Sequence, residues 1–293
     1  MRTPPEGMTR RDFFKAAAVG AGAMALAPLL PREAHAALPS TVLDPDKGIP
    51  SANVALNTAL GNMTWKASTS AVGTYLGSDG ARVFTLKSKA TGSTASWEYA
   101  DPIEFTFSGN EIGGRAIDVA LRVRKVRVTK NHHPDKPTMP KTFTLARVTK
   151  GYFYFNNSID TARRQWFVDY EVEATWADTG EVAELPFFQL VSDLDSQSAH
   201  KYFTEAWEPT GGFDRVYTYD GCYLVRSGDR FAAPGPDRQT SGDDSIVKSG
   251  VVGSAPRGSF SGRLEMGDSA TWIAVYCDFA ALDGPKKSAA VTG

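Results

Sequence analysis

Cysteine is nearly absent from this chain of 293 residues, which carries only Cys222 and Cys277. So low a count excludes a disulfide-dense scaffold, and no spacing points to an iron-sulfur cluster or a zinc ribbon. Histidine is almost as scarce, at four residues, and no Gly-x-Ser-x-Gly stretch offers a nucleophile elbow, so Ser-His-Asp hydrolysis has no local signature. No haem or dinucleotide motif occurs, and the glycines at Gly109 to Gly114 and Gly211-Gly212 read as turns because no strand-to-helix context surrounds them. An excess of one charge is missing too: 32 Lys and Arg stand against 33 Asp and Glu. That balance excludes the electrostatic footprint of a nucleic-acid or anionic-membrane binder. Helical periodicity of any convincing length is also wanting.

What fills the chain instead is alternation. In Ile117-Asp118-Val119-Ala120-Leu121-Arg122-Val123 the apolar residues take every second place, which is the period of a strand with one buried face. The alternation slips through Arg124 and Lys125 and resumes at Val126 and Val128, which predicts a β-bulge. Trp166 to Trp176 alternates in the same way, with Asp169, Glu171 and Glu173 turned to a wet face. Asp178-Thr179-Gly180 then supplies a turn, and Val182 to Val191 is expected to return as the second arm of a hairpin. Further strands are predicted at Gly151 to Phe155, Phe213 to Tyr219, Gly221 to Val225, Gly258 to Met266 and Thr271 to Phe279. Ala232 to Gly250, rich in Pro, Gly, Asp and Ser, reads as a long exposed loop. Many short strands without crossover helices specify an all-β fold, an antiparallel β-sandwich or jelly-roll-like body with few or no helices.

The N-terminus has a different character. Thr9-Arg10-Arg11-Asp12-Phe13-Phe14-Lys15 precedes the apolar run Ala16 to Leu30 and the small-residue site Ala34-His35-Ala36. That order is a positive region, an apolar region and a cleavage site, and it resembles the bacterial twin-arginine signal, which implies export of an already folded chain. The apolar run is shorter than the ~20 residues of a spanning helix. The expected organisation is a signal at 1–36, an extended lead-in at 37–53, a body at 54–282 and a tail at 283–293, with no membrane span after cleavage. An oxidising destination would let Cys222 pair with Cys277; the competing reading is two buried thiols.

Candidate sites follow from residue chemistry. Asp193 and Asp195, with Ser196 and Gln197 behind them, offer hard oxygen donors that suit a structural calcium ion, or else a solvated turn. Glu205 and Glu208 bracket Trp207, and paired carboxylates of this kind cleave glycosidic bonds when their separation is right; the ordinary alternative is a turn edge with the tryptophan packed inward and both glutamates hydrated. His132, His133 and Asp135 are metal-ligand types in a Pro-rich loop, with no further ligand nearby. Arg122, Arg124, Lys125, Arg127 and Lys130 form a basic stretch that either faces solvent or meets an acidic polysaccharide.

The region from about Gly113 to Tyr219 resembles an adhesin-like domain of large surface proteins of Gram-positive bacteria. Gly114-Arg115-Ala116-Ile117-Asp118-Val119 and Pro186-Phe187-Phe188-Gln189-Leu190-Val191-Ser192-Asp193-Leu194-Asp195 carry the similarity. The resemblance implies a β-rich binding module and brings no catalytic residue with it. The expectation is an exported, extracytoplasmic or surface-associated module without catalytic activity, whose partner is a polysaccharide or a host or cell-surface protein. It needs no cofactor beyond that calcium. The rival is a secreted carbohydrate-active hydrolase or lyase using Glu205 and Glu208.

Overall fold

The computed structural model describes residues 37–44, 63–67, 72–77, 80–87, 95–128, 142–149, 152–156, 166–196, 205–235, 244–266 and 270–276. The expected signal, most of the lead-in, the tail, His132, His133, Asp135, Lys130, Gln197 and Cys277 lie outside them. The described chain is an all-β sandwich of two sheets, antiparallel in every pairing but one.

Sheet A has nine strands in the order β1-β12-β15-β10-β17-β8-β7-β4-β3. These are β1 (Ser40–Leu43), β3 (Val72–Leu76), β4 (Arg82–Lys87), β7 (Thr142–Thr149), β8 (Tyr152–Asn156), β10 (Phe187–Ser192), β12 (Arg215–Tyr219), β15 (Val251–Ala255) and β17 (Ala270–Tyr276). Sheet B has eight in the order β13-β14-β11-β16-β9-β6-β5-β2. They are β2 (Met63–Lys66), β5 (Ala95–Ile112), β6 (Arg115–Val128), β9 (Trp166–Trp176), β11 (Ala206–Gly211), β13 (Val225–Ser227), β14 (Arg230–Ala232) and β16 (Ser259–Met266). Within the expected lead-in, Ser40–Leu43 form β1, which adds in parallel to β12 at the edge of sheet A.

Between the sheets lies a core rich in aromatic rings. Phe84 meets Phe105 at 4.8 Å, Phe105 meets Phe153 at 5.2 Å and Phe155 meets Tyr170 at 5.9 Å, so ring contacts run from one sheet to the other. Edge-to-face pairs of this kind add roughly 0.5–1.5 kcal/mol each beyond the area they bury. Trp207 of β11 is fully buried, and its Nε1 donates to the Tyr170 hydroxyl of β9 at 2.8 Å. The Gln189 amide of β10 donates to the same hydroxyl at 2.5 Å, so one polar cluster pins both sheets.

Sequence alternation succeeds in sheet B. The hairpin of β5 and β6 closes through Gly113 and Gly114, at φ 58° and 81°, the paired positive values that a two-residue primed turn demands. The predicted bulge is present: β6 slips against β9 between Val123 and Lys125, and Arg124 is the extra residue.

The expected hairpin after β9 is only partly formed, and this is a correction. The turn exists, with Gly180 N donating to Trp176 O, and Val182 bridges Thr175. Pro186 then ends the return, because it has no N–H for the ladder. The chain crosses to sheet A, where β10 pairs with β15 and β17 instead. Gly221 to Leu224 is likewise a turn and connection, with a strand only from Val225. The expected loop at 232–250 is also corrected, since it contains a short helix, α1 (Asp244–Val247), that lays Ile246 against Phe188, Leu190, Tyr219 and Val252.

Candidate functional site

The outward side chains of sheet B make the most organised polar surface among the described residues. Because Val172, Phe260 and Leu121 are buried in the core, Glu171, Glu173, Ser259, Ser261 and Arg122 face the other way. Ion pairs cross this face from strand to strand. Lys66 of β2 lies 2.9 Å from Glu104 of β5, which Arg122 of β6 approaches at 2.5 Å, and Arg122 also reaches Glu173 of β9 at 2.9 Å. The bulged Arg124 takes Glu171 at 2.9 Å. On the far side of β9, Asp169 holds Arg263 of β16 at 2.6 Å, Arg263 lies 3.9 Å from Glu208 of β11, and Arg230 of β14 grips Glu265 at 2.7 Å.

This ladder engages much of the basic stretch. Arg122 and Arg124 are bound to carboxylates, and Arg127 lies over the Phe167 ring at 4.1 Å. At Glu104, burial pushes the carboxyl pKa up, but the hydrogen bonds and charges of Arg122 and Lys66 outweigh it and hold the group below its usual value. Each exposed pair contributes roughly 0.2–1 kcal/mol. Its larger consequence is that a face dense in charge presents little unbalanced field.

Within the ladder lies a groove of about 270 Å³, whose polar walls are Arg122, Glu171, Glu173, Arg257, Ser259 and Ser261. Its origin is legible in the register. Glu171 pairs with Ser261, which opposes Gly211, and Glu173 pairs with Ser259 and with Ala120. Small residues in rows flanked by long ones leave a trough. A second bulge, in β11 between Pro209 and Gly211, lets Thr210 donate to the Ser261 hydroxyl at 2.9 Å. Gly212 closes the end with φ 79°, where a Cβ would sit 2.4 Å from the Ser259 carbonyl oxygen, so no other residue fits without moving the wall.

The fold has a solved counterpart. It is similar to the crystal structure of the N-terminal domain of the Streptococcus gordonii adhesin Sgo0707, with a TM-score of 0.68 and 15% sequence identity. The match covers 83% of this chain and 66% of that one, so the chain spans a little under two thirds of the length of its counterpart. At that identity the likeness describes the architecture. No family model matches the chain, and no curated protein matches it.

The carboxylates singled out in the sequence are only partly brought together. Asp193, Asp195 and Glu205 gather where β10 ends and β11 begins. Asp195 N donates to Glu205 Oε2 at 3.0 Å, and the Tyr223 hydroxyl donates to Asp195 Oδ1 at 3.0 Å. Asp193 adopts a left-handed φ of 67°, which aspartate tolerates better than most residues. Burial, joined by the negative charge of Asp195, pushes its carboxyl up to about 7. Among the described residues, no group of three or more His, Cys, Asp or Glu is placed to hold a metal ion.

Glu208 does not join them. Glu205 and Glu208 are three residues apart along an extended chain, so they point to opposite faces. Glu205 is buried beside Asp195, whereas Glu208 stands in the outer ladder near Arg263. Trp207 between them packs inward as expected, but from within a strand rather than a turn edge, and Glu205 is buried rather than hydrated, a correction of the ordinary reading. Cys222 is a free, half-buried thiol whose pKa burial raises, and its Sγ lies 3.8 Å from Gly250 O. The groove itself escaped the sequence reading. Its signal was there, in the small residues Ser259, Ser261 and Gly211, but it becomes visible only when three strands are set in register.

Proposed function

We propose that the chain is an exported, surface-associated binding module that works without turnover, and that its partner is a polysaccharide or a protein at a cell surface. The observation that carries this reading is the outer face of sheet B, where a shallow polar groove is set among side chains already tied to one another. Such a surface suits contact. Proton transfer needs carboxyl groups whose environments drive their pKa values apart on either side of one bond. The placement of Glu205 and Glu208 on opposite faces of β11 weighs against the glycosidase alternative. The adhesin origin of the similar fold supports surface association. Among the described residues no helix is long and apolar enough to cross a membrane.

Export is the part that residues 1–36 carry. The test joins those residues to a reporter that is active only when folded before translocation. Export abolished by changing Arg10 and Arg11 to lysine supports a twin-arginine route, and unchanged export removes it. For binding, the chain from Ala37 onward is applied to intact bacterial and host cells, and in parallel to a polysaccharide panel read for new reducing ends or unsaturated products. Retention without turnover is the expected result. Turnover abolished by Glu205→Gln or Glu208→Gln overturns the reading.

A further inference from the structure

We infer that the groove on sheet B is a binding site for a neutral, polyhydroxylated sugar unit about one ring in size; this rests on the binding-module reading above and names its ligand class. Size is the first argument. A groove of about 270 Å³ lies below the ~300–1,000 Å³ of pockets that take drug-sized ligands, so it suits a unit as small as a single pyranose.

Charge is the second. Glu171 and Glu173 are each neutralised by an arginine, at 2.9 Å in both cases. A carboxylate keeps about four acceptor sites, so one bond to arginine leaves others open. Acceptors on the floor thus coexist with donors at Ser259, Ser261 and Arg257. Arg257 is 59% exposed and only 3.8 Å from an equally solvated Glu184, so its guanidinium can turn to a ligand without leaving a buried partner. A ligand bearing net charge meets a like charge within the same small space. One bearing adjacent hydroxyls meets acceptors and donors side by side.

Topology is the third argument, and it closes most of the floor to the simplest peptide mode. The groove lies mainly over β6, β9 and β16, interior strands of sheet B that are paired on both sides; it ends at Gly211 of β11, beyond Trp207, where the pairing of β11 with β14 stops. Over the three interior strands an extended peptide cannot add to the sheet, because strand addition requires an open edge. Recognition has to come from side-chain oxygens and nitrogens. Among the described residues lining the groove, the aromatic one, Phe260, is 3% exposed and turned into the core, so it offers no stacking platform. The polar groups are also held in place before a ligand arrives, which lowers the ordering cost of binding.

The test uses the chain from Ala37 to Gly293 on an array of neutral hexose oligosaccharides, their uronate- and sulfate-bearing counterparts, and cell-surface proteins. Two variants accompany it: Ser261→Trp, which fills the trough from its solvent face, and Glu173→Gln, which keeps the shape and removes a charged acceptor. The expected result is binding to neutral oligosaccharides that weakens by tenfold or more in both variants, with little dependence on salt. Undiminished binding by both variants overturns the groove and leaves the binding-module reading standing. Selective binding to charged sugars, or to proteins alone, overturns the ligand class and again leaves that reading intact. Binding to nothing on the array or on intact cells removes both.

Discussion

β10 and β9 are both central strands, yet their surroundings are opposite. In β10, Phe187, Gln189 and Val191 enter the core between the sheets while Phe188 and Leu190 enter a second cluster beneath α1, so all six of its residues are buried. In β9, Val168, Tyr170 and Val172 are buried while Asp169, Glu171 and Glu173 are half-exposed and paired with arginine. A strand therefore shows in its own residues how many of its faces are covered. Of these two strands, β9 leaves one face open to solvent while the core stays closed, and β10 leaves none.

Truncation gives the widest contrast. Phe155→Ala, between the sheets, is expected to cost about 3–5 kcal/mol, and Leu190→Ala, on the second face of β10, about 2–5 kcal/mol. Glu171→Ala on the outer face is expected to cost less than about 1 kcal/mol. Urea unfolding at neutral pH measures all three. A Leu190→Ala loss as small as that of Glu171→Ala would break the comparison, because the cluster beneath α1 would then not act as a core.

Tyr170→Phe probes the polar pin. Its hydroxyl accepts from Trp207 Nε1 and from the Gln189 amide, so its removal strands two buried groups, at a cost of about 1–3 kcal/mol. The same unfolding measurement is expected to place this loss above that of any outer-face ion pair.

The two regions also answer to pH with opposite sign. Asp193, at the end of β10, has its folded pKa raised from 3.8 to about 7 by burial and by Asp195. The folded state therefore holds a proton that the unfolded chain releases, and stability from this group falls as pH rises from about 4 to 7. Asp193→Asn keeps the left-handed backbone and removes the charge. It is expected to stabilise the protein above pH 7 by on the order of 1 kcal/mol and to have no such effect near pH 3. Thermal unfolding across that range reads it, and an unchanged profile would remove Asp193 as the cause.

Glu104, in sheet B, behaves in the other direction. Its folded pKa lies below the ordinary carboxyl value of 4.5 despite burial, because Arg122 and Lys66 favour the charged form. Its contribution is present above 4.5 and is lost as pH falls through the folded value. Glu104→Gln is expected to cost about 1 kcal/mol at pH 7 and nothing in strong acid.

The smallest effect concerns the cysteines. Cys222 is a free thiol whose Sγ lies 3.8 Å from Gly250 O. Thiol titration of the unfolded, unreduced chain is therefore expected to count two thiols, and a count of zero would overturn that expectation.

Much of this architecture was readable in one dimension. Period-two alternation in 117–123 and 166–176 announced β6 and β9, and the slip at Arg124 and Lys125 announced the bulge, because each records which side chains avoid water. The return after Gly180 was misread because an apolar run says that a segment is buried and not which sheet buries it. Among the candidate residues, Asp195 and Glu205 proved to be neighbours across ten positions, a meeting decided by where the end of β10 in sheet A lies against the start of β11 in sheet B. Glu205 and Glu208, close in sequence, were separated by the strand's own geometry.

By itself the sequence determined the class of the fold, the wet and dry faces of its regular strands and the absence of any dense catalytic or metal-binding motif. Those properties are local, written in side-chain period and composition. Tertiary structure alone decided which strands share a sheet, which carboxylates meet which arginines and where small residues line up to leave a groove. Such facts depend on register between segments as distant in sequence as Ser40 and Val216, and a hydrogen-bonded ladder can be set only when both of its strands are in place.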